Sequence, residues 1–285
     1  VTGNPLGMKT NLSFTASGEV NGYNVSYMQT SKDQFAGMSS ARLSVDMGDI
    51  GTISLDQGSG SGLSTIDDKT PTAAEEIWDG LDTTTSGRVG AVGSSGVLNY
   101  VNSFGGVSLN AAFRKGASGA NSDGSASGEG SGSGYDFALT TDGEMLGVDG
   151  LAIGAGYGER ENGQAAGTAG HDDVDMTVFA NYSFGPATFG YQISQINDGN
   201  PGTSDESVKA WGLALNVNDN LSLSYGERDV TFEGSADVTE NGEGIAVAYT
   251  MGSIKVAGNM NEVTNNDGTA ASNDKMTEIA VSFAF

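Results

Sequence analysis

Apolar residues alternate with small or polar ones almost from end to end of this chain, and no other feature limits its fold so tightly. A period of two belongs to β-strands, whose successive side chains point to opposite faces. Ala41, Leu43, Val45 and Met47 alternate with Ser40, Arg42, Ser44 and Asp46; Val107, Leu109, Ala111 and Phe113 alternate with Ser108, Asn110, Ala112 and Arg114. The last residues repeat the pattern, with Ile279, Val281, Phe283 and Phe285 set against Glu278, Ala280, Ser282 and Ala284. Fifteen segments read this way: 8–17, 21–30, 39–48, 51–57, 96–104, 106–115, 133–141, 148–160, 172–184, 186–197, 206–217, 220–229, 242–251, 253–262 and 275–285.

The connectors fall into two classes that take turns. Short ones lie at Gly18–Val20, Asp49–Ile50, Gly105, Gly185, Asp219 and Gly252, with Asp142–Gly147 somewhat longer; long polar ones occupy 31–38, 58–95, 116–132, 161–171, 198–205, 230–241 and 263–274. Such alternation implies antiparallel hairpins, with every tight turn at one end and every long loop at the other. One row of side chains is rich in Gly, Ala, Ser and Asn. The other is apolar and gains aromatics near strand ends, among them Tyr23, Phe104, Tyr135, Tyr182, Phe184, Trp211, Tyr225, Tyr249 and Phe283. An outward apolar band with aromatic girdles describes a transmembrane β-barrel, which lipid forces to close because no sheet edge can face hydrocarbon.

Composition removes other classes. With 12 basic and 36 acidic residues the formal charge is −24, which leaves no basic footprint for nucleic acid. Such acidity suggests a disordered chain, but 37% hydrophobic residues placed at strand period argue against it. No apolar run is long enough for a membrane helix. Zero cysteines exclude thiol chemistry, disulfides and Cys-based zinc sites.

The terminal Lys275-Met-Thr-Glu-Ile-Ala-Val-Ser-Phe-Ala-Phe285 resembles the last strand of Gram-negative outer-membrane porins, which ends in phenylalanine. The pair of strands within Ala41–Asp56 and the hairpin Leu98–Phe113 resemble those flanking the long third loop of such porins, most nearly the alphaproteobacterial, Rhodobacter-type ones. The resemblance implies a homotrimer of 16-stranded barrels in the bacterial outer membrane, bounded by lipid and lipopolysaccharide. Each barrel passes small hydrophilic solutes by passive diffusion, with loop three folded into the pore and no enzymatic step. Residues 1–285 are then one barrel domain, with 58–95 as its constriction loop. Single-chain bacterial barrels have an even strand count, so with fifteen strands read, the expectation is that an N-terminal strand and a signal peptide are missing from this sequence. A structural or adhesive barrel displaying acidic outer loops is the alternative, with 116–134 as its surface segment.

Loop three carries the chemistry. Thr72 and Glu75 fit a capping box and Gly80 a terminator, which predicts a short helix over Ala73–Asp79. Asp67, Asp68, Glu75, Glu76, Asp79 and Asp82 are the expected acidic side of a constriction. The strand phase puts Lys9, Arg42, Arg114, Arg160, Arg228 and Lys255 on the lumen side. Lys9 and Arg42 lie where the resemblance places the wall opposite loop three, and Arg88 joins one wall or the other. Acids facing bases across a narrow gap make a transverse field that favours dipolar solutes and a modest preference for cations. Arg160 and Arg228 are expected in local pairs with carboxylates. No cofactor is required; Asp67 and Asp68 offer oxygen ligands suited to calcium, although no EF-hand spacing occurs. His171 is the only histidine, so a Ser-His-Asp site would have to use it.

Overall fold

The computed structural model describes residues 6–81, 87–90, 92, 95–116, 133–161, 171–199, 205–234 and 238–284. Fifteen strands run β1 (Ser13–Val20), β2 (Tyr23–Ser31), β3 (Met38–Asp46), β4 (Thr52–Gln57) and β5 (Ser95–Phe104). Then follow β6 (Val107–Arg114), β7 (Gly134–Asp142), β8 (Leu151–Arg160), β9 (Asp173–Phe184) and β10 (Ala187–Asn197). The last are β11 (Asp205–Asn216), β12 (Leu221–Glu233), β13 (Val238–Met251), β14 (Ile254–Thr264) and β15 (Asn273–Phe283). They form one antiparallel sheet in sequence order, with β1 and β15 at its edges. Among the described residues, no helix is long and apolar enough to cross a membrane.

Tight turns and longer connections alternate as the spacing predicts except at 230–241, most of which is strand, since β12 runs to Glu233 and β13 begins at Val238. The first turn is Asn21-Gly22 (φ 53° and 86°), not the earlier glycine at 18, because a two-residue hairpin of this kind needs positive φ at both positions. β1 begins at Ser13 instead of residue 8. Upstream of it, Thr10 is tied to the following loop by side chains: its N–H reaches Asp33 Oδ1 at 3.0 Å, and its Oγ1 accepts from Gln34 N at 2.7 Å. Lys9 is therefore on no strand and is exposed, contrary to its expected place in the wall.

The apolar row faces outward. Phe14 is 61% exposed, Leu55 51% and Ile193 44%. A continuous band of this kind is not left to water; it suits lipid. Trp211 and Tyr225 meet edge to face at 5.5 Å midway along β11 and β12, and Tyr182 stacks on Phe184 at 6.1 Å beside the Gly185 turn. The buried core lies on the opposite face, where Leu63, Ile66 and Val89 of the long 58–94 connection pack on Ala138 of β7 and Phe179 of β9.

Candidate functional site

The 58–94 connection, loop three, runs along the inner face of the sheet and is tied to it by side chains of the lumen-facing row. Its outgoing arm starts as a 3-10 turn, Gly62–Ile66, capped reciprocally by Ser61 and Ser64. Gly62 N donates to Asn110 Oδ1 on β6 at 2.9 Å, and Leu63 N to Asp136 Oδ1 on β7 at 2.9 Å. Further along, Lys69 N donates to Gln192 Oε1 (2.7 Å), while Lys69 O accepts from Asn181 Nδ2 (2.7 Å). Ala73 N donates to Ser224 Oγ on β12 (2.9 Å), and Asn261 Nδ2 on β14 reaches the carbonyls of Glu76 (3.1 Å) and Asp79 (3.0 Å). Glycines of the wall make room. A Cβ on Gly212 would stand 2.8 Å from Pro71 O, and one on Gly244 3.0 Å from Ile77 Cβ.

The return arm is held by carboxylates on alternate strands. Gly87 N donates to Glu206 Oε2 on β11, Gly90 N to Asp175 Oδ2 on β9 (2.8 Å), and Val92 N to Asp136 Oδ2 (3.1 Å). Asp136, 2% exposed, thus clamps the beginning and the end of the loop together. Asp136, Asp175 and Glu206 had not been singled out in the sequence. Asp136 alone carries a signal, a lone carboxylate in phase with the small residues Gly134 and Ala138; Asp175 and Glu206 stand beside other acids and carry none.

The expected helix over Ala73–Asp79 does not form; the segment is a series of bends and turns. Thr72 Oγ1 donates forward to Ala74 O (3.0 Å) instead of capping. Ser224 and Asn261 on the wall instead bind the end groups of the segment, Ala73 N and the Glu76 and Asp79 carbonyls, and hold it against the sheet.

From its start, held by Arg42 on β3, loop three crosses the inner face as far as β15 and leaves β1 and β2 uncovered. A cleft of about 280 Å³ there is lined by Thr15, Ser17, Ser26, Met28, Arg42 and Ser44. Glu75 and Glu76, near the loop's tip, are exposed and Asp79 is half-buried. None of their carboxylates makes a hydrogen bond or ion pair among the described residues. Asp82 lies outside the described residues.

Asp67 and Asp68 sit earlier on the loop and are half-buried. Asp68 Oδ1 accepts from Thr70 N and Thr70 Oγ1, each at 2.9 Å, and Asp67 Oδ1 from Asp68 N at 2.9 Å. Burial pushes both carboxyls above the usual aspartate range; these hydrogen bonds, and for Asp67 the nearby charges of Arg88 and Lys69, pull the other way. Among the described residues, no group of three or more His, Cys, Asp or Glu is placed to hold a metal ion.

The bases are less free than their sequence positions suggest. Arg42 Nε meets Asp56 Oδ1 at 3.1 Å, and its Nη2 donates to Gly60 O, so Arg42 pins the start of loop three. Arg160 pairs with Asp173, and Arg228 Nη1 lies 3.5 Å from Glu240 Oε1, as local pairing requires. Arg88 is exposed on the return arm, on the same side as Asp67 and not on the opposing wall. His171 is exposed in a long loop. The 116–134 surface segment falls largely outside the described residues.

Comparison with solved structures returns porins along nearly the whole chain. The anion-selective porin from Comamonas acidovorans superposes with a TM-score of 0.69 at 12% identity, covering 97% of this chain and 90% of that one. OmpT, an outer membrane protein of Vibrio cholerae, gives 0.65 at 17% identity (96% and 88%). A mutant of Rh. blastica porin gives 0.62 at 16% identity (96% and 89%). A search of curated proteins finds no sequence match. The family model described as Gram-negative porin matches residues 3–285. With strands, lumen loop and outward apolar band in agreement, the chain belongs to the Gram-negative porin family, the β-barrel channels of the bacterial outer membrane.

Proposed function

We propose that this porin passes small hydrophilic solutes and ions by passive diffusion, without a chemical step, through an eyelet between the tip of loop three and the β1–β4 wall, and that it prefers cations. The observation that carries the sign is the imbalance of free charge. Among the described residues Glu75, Glu76 and Asp79 are unpaired on the loop, while the wall's Arg42 is offset by Asp56. The wall itself presents hydroxyls, among them Thr15, Ser17, Ser26 and Ser44. Fixed negative charge inside low-dielectric walls enriches cations. Neutralisation of Arg42 and the absence of Lys9 from the wall leave a field that is one-sided, not transverse. The fold does not set this sign, since the similar Comamonas protein is named anion-selective.

Association as a homotrimer, with lipopolysaccharide around it, is part of the same reading. An adhesive barrel would have no use for the open cleft along β1–β3. Reconstitution in a planar bilayer is expected to give stepwise, ohmic conductance; correctly folded protein that never conducts would refute the proposal.

A further inference from the structure

Arg228, on β12 and only 4% exposed, lies where three parts of the molecule meet. Its guanidinium carbon stands 4.7 Å from the centre of the Trp78 ring at the tip of loop three. Gly87 of the return arm packs so closely on the same guanidinium that a methyl group at 87 would collide with it. Glu240 on β13, 1% exposed, pairs with Arg228 through Oε1 and accepts the backbone N–H of Asp267 through Oε2 at 2.8 Å. Asp267 belongs to the 3-10 turn Asn266–Gly268 in the last long loop. That loop is strained: Asn265, Asp267 and Ala271 hold φ of 55°, 48° and 63°, and Gly268 rests on Phe232. Such residues stay in the left-handed region only where their surroundings over-determine them.

We infer that Arg228 is a positioning residue that sets the geometry of the eyelet and couples it to the outer loop 265–272. The path is a continuous set of contacts from Asp267 through Glu240 and Arg228 to Trp78, which adjoins Asp79 and lies two residues from Glu76. A planar guanidinium offers its edge to a carboxylate and its face to an indole at once, which an ammonium does not. A buried ion pair adds little net stability, and fixing one geometry is its best-attested use. This inference rests on the proposed eyelet, with Glu75, Glu76 and Asp79 at its edge.

Single-channel recording in a planar bilayer tests it with variants that conserve charge. Arg228→Lys keeps the cation; Arg228→Met combined with Glu240→Gln removes both charges. Each is expected to shift the reversal potential and to make excursions between conductance levels roughly tenfold more frequent, as befits loss of a desolvated cation–π contact. Trp78→Leu leaves the wall pair intact, serves if the arginine variants do not fold, and is expected to behave alike. Asp267→Cys is the single thiol in a chain without cysteine. Labelled with a bulky maleimide, it should reproduce the effect, whereas the same label on Asp149→Cys, in the turn at the opposite end, should not. Glu75→Gln with Glu76→Gln separates the two levels of the argument. If that pair shifts the reversal potential while Arg228→Lys, Trp78→Leu and labelled Asp267→Cys all match the unmodified channel, the coupling is refuted and the eyelet stands. If the acid-neutralised channel is itself unchanged, the eyelet falls and the inference with it.

Discussion

Replacing Asp136 by alanine removes a carboxylate that clamps both arms of loop three. Its two oxygens accept from Leu63 N at 2.9 Å and Val92 N at 3.1 Å, and those residues are 0% and 1% exposed. Both N–H groups are then orphaned in a dry site. Each unsatisfied buried donor costs about 1–3 kcal/mol, so the docked loop loses about 2–6 kcal/mol relative to the detached one. Even the lower bound raises the detached population about 30-fold. Trypsin reads this at Lys69, whose backbone N–H and carbonyl are both held by the wall when the loop is docked. Cleavage follows the open population where opening and closing are fast relative to cutting. We expect Asp136→Ala to be cut at Lys69 at least about 30 times faster than the native chain. Asp136→Asn, which retains one acceptor oxygen, should fall between them. A rate for Asp136→Ala equal to that of the native chain would show that this carboxylate does not hold the loop.

Gly212→Ala puts a methyl group against the Pro71 carbonyl, which is backbone and cannot rotate aside. Overpacking costs about 1–3 kcal/mol, and faster cleavage at Lys69 is expected. Asp67 and Asp68 are pushed above the usual aspartate range by burial, so the docked loop binds more protons than the detached one. Their contribution to docking is therefore full below the ordinary aspartate value and is lost as pH rises through the raised one. Thermal unfolding of Asp67→Asn with Asp68→Asn should accordingly decline less than native over that interval; identical pH profiles would refute the assignment. Asp56→Asn keeps an acceptor for Arg42 but removes the offsetting charge. It should move the reversal potential in a salt gradient toward anions.

The sheet was legible because its information is local. A strand such as Val107–Arg114 states its own period and its own two faces, and Gly105-Gly106 states its own turn; Asn21-Gly22 was missed because the spacing puts that turn at Gly18. Loop three was legible as an insertion because nothing in 58–94 continues the period. Its conformation was not, for a physical reason: the bonds that fix its course run to partners far along the chain. Ala73 N finds Ser224, 151 positions on, and Asn261 reaches the Glu76 carbonyl across 185. Against such partners the Thr72–Glu75 capping signal, worth about 1 kcal/mol, did not prevail. The lumen bases misled in the same way. Phase alone puts Arg42 on the inner face, but only the fold reveals that Asp56 and the Gly60 carbonyl already occupy it. Lys9 shows the converse limit: its phase matches the lumen row, yet the ladder stops at Ser13.

The most direct measurement is the reversal potential of the channel in a salt gradient, native against Glu75→Gln, Glu76→Gln and Asp79→Asn combined. These three carboxylates have no charged or hydrogen-bonded partner among the described residues, so their removal should disturb the field more than the packing. The native channel should favour cations, less strongly as salt rises, because screening acts over about 8 Å at physiological ionic strength. The triple variant should move the potential toward anions at low salt and converge on the native value at high salt. A triple variant indistinguishable from native at low salt would contradict the account: the tip of loop three would then not edge the passage.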